Sequence, residues 1–181
     1  MERIGGALSE KLSDMEIVSL QQGEGLLCKE LRLRALRDSP GVFPESVSQV
    51  AGRADDDWRR LCESMTPPSV QRMFIAKTGD RYLGSVYALI DRKDPSAGRI
   101  GGMWVDSAFR KQGVGEALFE AVRAWAEEVG FSKVKLWVDD DEGGAKSFYG
   151  RMGFRPSGVR DDSRDRVDKD LAEMSLDLAK P

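Results

Sequence analysis

The chain has 181 residues, 40% hydrophobic and 33% charged, a balance typical of a globular domain with a sizeable core. Its 28 basic and 31 acidic side chains give a net charge of -3, which argues against the broadly basic surface of nucleic-acid-binding proteins. The sequence has no histidine, which excludes a Ser–His–Asp triad, a histidine-activated thiol and a histidine-ligated metal.

The two cysteines, Cys28 and Cys62, lie in stretches that read as helices and lack the spacing of a metal site. We predict reduced, partly buried thiols, as expected of a cytoplasmic protein. No apolar run reaches membrane-spanning length, and the N-terminus lacks the apolar stretch of a signal peptide. We predict one domain over residues 1–181, with a flexible tail over residues 1–13.

The first part of the chain predicts one strand and then helices. MEIVSL (15–20) is the first predicted strand. The next segment (24–40) predicts a helix that Pro40 ends, with apolar positions at Leu26, Leu27, Leu31 and Leu33. Residues 44–65 predict a second helix, broken or weakened near Gly52.

After this the hydrophobic period changes from helical to alternating. Residues 70–78 and 81–91 are rich in β-branched and aromatic residues and flank a Gly-Asp pair, which predicts a hairpin. Further predicted elements are a strand at 99–106, an amphipathic helix, a strand at 132–139, a short helix at 142–153 and closing strands at 154–158 and 171–178. The order βααβββαβαββ predicts an α/β sandwich rather than a run of βαβ units.

The amphipathic helix that follows RKQGVGEAL has an unusual first turn. Its apolar stripe is ordinary and consists of Val114, Leu118, Ala121, Val122, Trp125 and Val129. The first turn carries Gly113 and Gly115 directly after Arg110 and Lys111. Helix N-termini have unpaired N–H groups and a partial positive charge, and glycine lets an anion approach the backbone. The stretch therefore predicts a phosphate cradle, whereas a lone glycine pair would more often be a simple turn.

Spacing decides which phosphate motif this is. A P-loop needs GxxxxGK[ST], which is absent, and the dinucleotide fingerprint would need glycine where Leu118 stands. The pattern R-x-x-G-x-G at Arg110, Gly113 and Gly115 resembles the pyrophosphate motif of the GNAT superfamily of acyl-CoA-dependent N-acetyltransferases. The resemblance extends over residues 100–154 and includes LRLRALRDSP (31–40) and AEMSLDL (172–178).

This resemblance implies a mixed, mostly antiparallel sheet of six to seven strands, with helices on both faces and strands 4 and 5 splayed. Pantetheine would enter the splay and pair with the backbone of Met103, Trp104 and Val105. The pyrophosphate of acetyl-CoA would lie on the segment formed by Arg110, Lys111, Gln112, Gly113, Val114 and Gly115. No metal is implied.

The resemblance also assigns a role to the tyrosine of FYGRMGF. Tyr149 matches the family position that hydrogen-bonds the CoA sulfur and protonates the leaving thiolate. Taken alone, Tyr149 would be interpreted as a packing aromatic, like Phe148 beside it. One departure is Glu142, which stands where many members carry a cofactor-contacting asparagine, and a solvated acidic loop explains it better than a metal site.

The implied reaction is acetyl transfer to a primary amine by direct attack in a ternary complex. A backbone N–H near Val105 would stabilise the oxyanion, and the base stays open among Glu45, Asp139 and a water chain. Residues 39–46 and 159–170 are expected on the acceptor side. Polyamine, aminoglycoside, amino acid and protein N-terminus all remain open as acceptors, in a monomer or homodimer. The alternatives are a non-catalytic acyl-CoA sensor and an interaction domain with a vestigial pocket.

Overall fold

The computed structural model describes residues 14–139, 143–161 and 171–178. The predicted tail (1–13), Glu142 and most of the charged loop before the last strand lie outside these residues. The described strands are β1 (Glu16–Ser19), β2 (Arg72–Thr78), β3 (Arg81–Ile90), β4 (Ala97–Val105), β5 (Lys133–Asp139), β6 (Arg155–Asp161) and β7 (Leu171–Asp177). The α-helices are α1 (Gly25–Asp38), α2 (Val47–Gly52), α3 (Asp55–Ser64), α4 (Val114–Val129) and α5 (Gly143–Arg151).

The predicted second helix is two helices, α2 and α3. Ser46 caps α2 in a capping box with Gln49, and the chain then becomes extended at Arg53 and Ala54. Three aspartates start α3, where their charges favour the helix N-terminus. The predicted break or weakening near Gly52 is therefore confirmed, as a break between two helices.

Of the four leucines named as apolar positions of helix α1, only Leu31 is fully buried. The buried residues of α1 are Gly25, Cys28, Leu31, Arg32, Ala35 and Leu36, which recur at helical spacing. Leu26, predicted among the apolar positions, is 48% exposed, and Leu27 and Leu33 are partly buried. The face that packs on the sheet therefore includes an arginine.

One seven-stranded sheet has the strand order β1-β2-β3-β4-β5-β7-β6. Every neighbouring pair is antiparallel except β4 and β5, which run parallel. These two strands pair only from Ala97 opposite Lys133 to Arg99 opposite Lys135, although they continue to Val105 and Asp139. The predicted mixed sheet and the splay between strands 4 and 5 are both confirmed.

Helices cover both faces of the sheet and give it two cores. On one face, α4 packs with Leu118, Val122 and Trp125 fully or almost fully buried. Of the stripe predicted for α4, Val129 is instead exposed, and Phe119 belongs to the buried face. On the other face, α1, α2 and α3 pack over a second cluster that includes Trp58 and Trp104.

A β-bulge interrupts β4 just where it leaves β5. The register with β3 shifts between the pairs Ser85–Trp104 and Tyr87–Gly101. Gly102 in the bulge has φ of 55°, and a Cβ there would lie 2.7 Å from the Tyr87 ring. Only glycine satisfies both conditions, so the sequence GG in β4 specifies the bulge and the bend that it produces.

Both cysteines are free and buried, as predicted. Burial raises the pKa of the Cys28 thiol to about 11, and burial also raises the pKa of Cys62. Both therefore stay as inert thiols near neutral pH. Among the described residues, no helix is long and apolar enough to cross a membrane.

Candidate active site

The start of α4 lies at the end of β4, beyond a short 3₁₀ turn (Ser107–Phe109). Gly113 is the N-cap, with the left-handed φ of 86°, and no side chain caps the helix. A Cβ added at Gly113 would meet no atom within 4 Å, so the space beside the cap is open. The first N–H groups of α4 thus face open space, and the positive end of the helix dipole lies at the same place.

Gly115, two residues further along the chain, has a packing role. A Cβ there would lie 3.2 Å from the Phe148 ring and 3.7 Å from Val105. The small residue lets α4 sit close to α5 and to the end of β4. A larger side chain would have to displace Phe148.

A cavity of about 530 Å³ extends from this helix start along α5. We call it the α4 cavity, and it is lined by Met103, Val105, Arg110, Lys111, Gly115, Glu116, Gly144, Ala145, Ser147, Phe148, Tyr149 and Arg151. It is therefore bounded by the bulged end of β4, the cap of α4 and one side of α5. A volume of this size and a lining that mixes apolar and cationic groups suit an organic phosphate ligand.

A second cavity, of about 260 Å³, occupies the gap between β4 and β5. This strand-gap cavity is lined by Val42, Phe43, Pro44, Arg99, Ile100, Gly101, Gly102, Met103, Leu136, Trp137, Val138, Asp139, Ala145, Tyr149 and Leu171. Three residues, Met103, Ala145 and Tyr149, line both cavities. The two cavities therefore meet at Tyr149, one extending to α4 and the other reaching the segment after α1.

Tyr149 is held rigidly where the cavities meet. Its side chain is 7% exposed, and its ring packs edge-on against Phe148 and Phe154, with centroids 5.1 and 5.5 Å away. Burial raises the pKa of the Tyr149 hydroxyl well above its ordinary value. The phenol is consequently a proton donor that stays protonated throughout the neutral and mildly alkaline range.

The other predicted cofactor residues divide into two groups. Met103, Val105, Lys111 and Gly115 line the α4 cavity, whereas the Trp104 indole is buried on the opposite face of the sheet. The Gln112 amide donates to the Ala108 carbonyl 2.9 Å away and so stabilises the turn. Glu142 lies outside the described residues.

Arg110 lines the α4 cavity, but its guanidinium is bound to protein groups. It donates to the Val105 carbonyl (3.0 Å), to Ser39 Oγ (2.9 Å) and to the Asp38 carboxylate. These bonds fix the loop that leads into α4. Arg110 is therefore placed to shape the cradle as well as to add positive charge.

Asp38, at the end of α1, was not singled out from the sequence. Its carboxylate accepts from Trp104 Nε1 (3.0 Å), from the Ser107 backbone N–H (3.4 Å) and from Arg110. Burial raises the pKa of Asp38, but the bonds from Ser107 and Trp104 and the charge of Arg110 outweigh it, so the net pKa is lowered. One carboxylate thus joins α1, β4 and the cradle loop.

Comparison with known proteins identifies the family. The family model described as the acetyltransferase (GNAT) family matches residues 33–154, well over half of the chain. The chain belongs to the GNAT acetyltransferase family. The matched range includes β4, the α4 cradle and Tyr149.

Individual relatives of this GNAT protein agree with that result. N-acetyltransferase 8F1 of Rattus norvegicus is 34% identical over 91 residues, 48% of this chain and 41% of the rat protein. Mycothiol acetyltransferase of Geodermatophilus obscurus is 28% identical over 123 residues, 66% of this chain and 39% of that protein. The match thus spans about two fifths of the length of these curated relatives.

A solved structure supports the fold of this GNAT chain at low sequence identity. YncA of Salmonella typhimurium, solved with its cofactor acetyl-CoA, superposes with a TM-score of 0.71 at 12% identity. The alignment covers 93% of this chain and 96% of that one. The strand order and the splay described above are thus those of an established fold.

The candidates for a base are now separated by position. The Glu45 carboxylate is bound by Arg32, with nitrogens at 2.9 and 3.0 Å, and by Arg53. Burial raises the pKa of Glu45, but the bonds and charges of Arg53 and Arg32 outweigh it and lower the net pKa. Glu45 is therefore a weak base, whereas Asp139 lines the strand-gap cavity.

Replacing Asp38 by asparagine should loosen the GNAT cradle. We expect a loss of roughly 1–2 kcal/mol of stability, because a bond network to a charged group is weakened, together with a rise in the Kd for acetyl-CoA. Urea unfolding and calorimetric titration measure the two effects. Because the folded pKa of Asp38 is lowered, its stabilisation is fully present above the ordinary carboxyl pKa of about 4 and should be lost progressively as the pH falls from there through the lowered pKa.

Asp56→Asn is the matched control for that substitution. Asp56 pairs with Arg59 on the exposed surface of α3, so its loss should cost less than about 1 kcal/mol and leave the Kd unchanged. Equal effects of the two substitutions on acetyl-CoA affinity would contradict the role given to Asp38.

Proposed function

We propose that this protein is an N-acetyltransferase that moves an acetyl group from acetyl-CoA to a primary amine. The observation that carries the proposal is the meeting of two cavities at Tyr149, in the gap between β4 and β5. A donor in the α4 cavity and an acceptor in the strand-gap cavity would bring their reacting atoms together there. Family membership supports the same reaction.

The α4 cavity fits the phosphate end of acetyl-CoA. The uncapped helix start, the open space beside Gly113 and the cation Lys111 are the features that an anionic group requires. Past Arg99, β4 no longer pairs with β5, so its edge can receive an extended chain such as pantetheine. Met103 and Val105 line the path between these two regions.

Acetyl-CoA would supply an activated acetyl thioester. In the proposed step the acceptor nitrogen forms a bond to the carbonyl carbon, and the carbon–sulfur bond breaks with its electron pair going to sulfur. The Tyr149 hydroxyl then gives its proton to the thiolate, and solvent restores it. A backbone N–H at the end of β4, near Val105, would stabilise the transient oxyanion.

Removal of the amine proton is assigned to Asp139, directly or through water. Asp139 ends β5 and lines the same cavity as Tyr149, so the proposed base and the proposed acid face the same cavity. Glu45 lies outside that cavity lining and is held by two guanidiniums. Positioning of the two reactants would provide most of the remaining rate enhancement.

Two measurements test this function on the full chain. Acetyl-CoA at a hundredfold excess over its Kd should stabilise the fold by about 2.7 kcal/mol, seen as a thermal shift. A panel of primary amines should then release free thiol from acetyl-CoA. No shift at millimolar acetyl-CoA would overturn the proposal, and a shift without turnover on any amine would favour the non-catalytic sensor.

A further inference from the structure

Arg32 is an arginine on the buried face of α1 with one nitrogen unused. Its side chain is 9% exposed, and its Nε and one Nη bind Glu45. The other, Nη1, is buried and has no hydrogen-bond partner. A buried guanidinium nitrogen without a partner is costly, so such a group calls for a ligand that is absent here.

This unpaired nitrogen lies directly behind the strand-gap cavity. A Cβ added to Gly102 would stand 3.3 Å from Nη1, and the guanidinium stacks 4.5 Å from the Phe43 ring centroid. Gly102 and Phe43 both line the cavity. Arg32 itself is not part of the lining, but it packs against these two residues of the cavity wall, and the missing side chain of Gly102 leaves Nη1 next to that wall.

The charges around the cavity favour an acceptor with one negative group. Arg32 and Arg53 share the single carboxylate of Glu45, which leaves this trio with one excess positive charge. A second guanidinium, that of Arg99, is paired with the Asp91 carboxylate and lies 5.5 Å from the ring centroid of Trp137, on the other aromatic wall. Rings already bound to cations are poor partners for a polycationic substrate.

The same cavity also carries a group that would attract an amine. Among the described residues that line the cavity, Asp139 is the only carboxylate, and it shares the cavity with Tyr149. A cation near Asp139 and an anion near Arg32 are the two ends of a zwitterion. A polyamine would need further carboxylates at the Arg32 end.

We infer that the acceptor is an amino acid-like molecule, whose amine reacts at Tyr149 and whose carboxylate binds Arg32 through Nη1. This inference rests on the proposed transferase function and names its substrate class. The carboxylate would accept a hydrogen bond from Nη1, so that every nitrogen of the Arg32 guanidinium would have a partner. Arg32 is thus a specificity-determining residue.

The experiment compares each amino acid with the amine that lacks its carboxylate and with its carboxamide, using thiol release from acetyl-CoA. We expect the amino acid to have a kcat/KM roughly tenfold to a hundredfold higher, as for a charged hydrogen bond gained. The ratio of the two kcat/KM values is the readout, because it does not depend on how much of a preparation is folded.

Arg32→Lys should bring that ratio close to one, since lysine keeps the charge near Glu45 but cannot span Glu45 and the cavity together. Arg53→Lys is the matched control. Arg53 binds the same Glu45, but it stacks on Trp58, which does not line the cavity. The ratio of the two kcat/KM values in Arg53→Lys should therefore stay as in the wild type. The double variant Arg32→Gln/Glu45→Gln removes both charges of the pair and should also abolish the discrimination.

The outcomes separate the two proposals. Turnover with no preference for the carboxylate, or a preference that Arg32→Lys leaves intact, overturns this inference while the transferase stands. No turnover with any amine overturns the transferase and the inference together. Discrimination that Arg32→Lys loses and Arg53→Lys keeps supports the inference.

Discussion

Gly113→Glu is expected to abolish measurable acetyl-CoA binding. The new carboxylate would occupy the open space beside the α4 cap, where the proposed pyrophosphate lies. Two like charges about 4 Å apart repel by about 4 kcal/mol at an effective dielectric constant of about 20, which corresponds to roughly a thousandfold in Kd. Calorimetric titration with acetyl-CoA measures the loss.

Gly130→Glu separates this effect from backbone strain. Gly130 caps the other end of α4 with φ of 84°, and a Cβ there also meets nothing within 4 Å. Both substitutions place a side chain in the left-handed region, at a cost of about 1–2 kcal/mol each. Gly130→Glu should lose similar stability but bind acetyl-CoA normally. Unchanged affinity in Gly113→Glu would refute the phosphate cradle.

Tyr149→Phe is expected to lower turnover by roughly 10²- to 10⁴-fold, the range for loss of a general acid, with little change in the Kd for acetyl-CoA. The phenyl ring keeps the edge-on contacts with Phe148 and Phe154, so the fold should be preserved. Tyr82→Phe, on the other face of the sheet, is the control and should keep wild-type turnover. Equal kcat in Tyr149→Phe and wild type would remove Tyr149 from catalysis.

The pH profile tests the state of the same hydroxyl. Because burial raises the pKa of Tyr149, its proton stays bound above the ordinary tyrosine value of ~10. The kcat of the wild type should therefore show no alkaline fall from this group up to about pH 10. A fall with a midpoint near pH 8 that Tyr149→Phe abolishes would contradict this assignment.

The sheet was predictable from the sequence because its strands alternate clearly. β2, β3 and β5 begin within two residues of their predicted starts and end within one of their predicted ends. Gly52 predicted either a break or a weakening between α2 and α3, and hydrophobic periodicity alone does not decide between the two. Only the Ser46–Gln49 capping box and the extended pair that follows reveal the break.

The candidate site was predictable only in part. Gly113 and Gly115 are only two residues apart, so their spacing in the sequence predicts an open helix start. Tyr149 needed the family resemblance, since its pattern alone matches a packing aromatic. Asp38 could not be found in this way, because its partners Trp104 and Arg110 are 66 and 72 residues distant in the chain. Arg32 lies at a helical spacing that predicts burial, but its unpaired nitrogen depends on tertiary packing.

The position of Asp38 has a consequence for changing the acceptor range of the proposed transferase. Six residues separate Arg32 from Asp38, about 9 Å along a rigid helix. A substitution that tilts α1 to admit a new acceptor will also shift the carboxylate that holds Arg110. Variants selected for a new acceptor should therefore bind acetyl-CoA more weakly when their substitutions lie in α1. Variants in the segment Val42 to Pro44, which lines only the strand-gap cavity, should not.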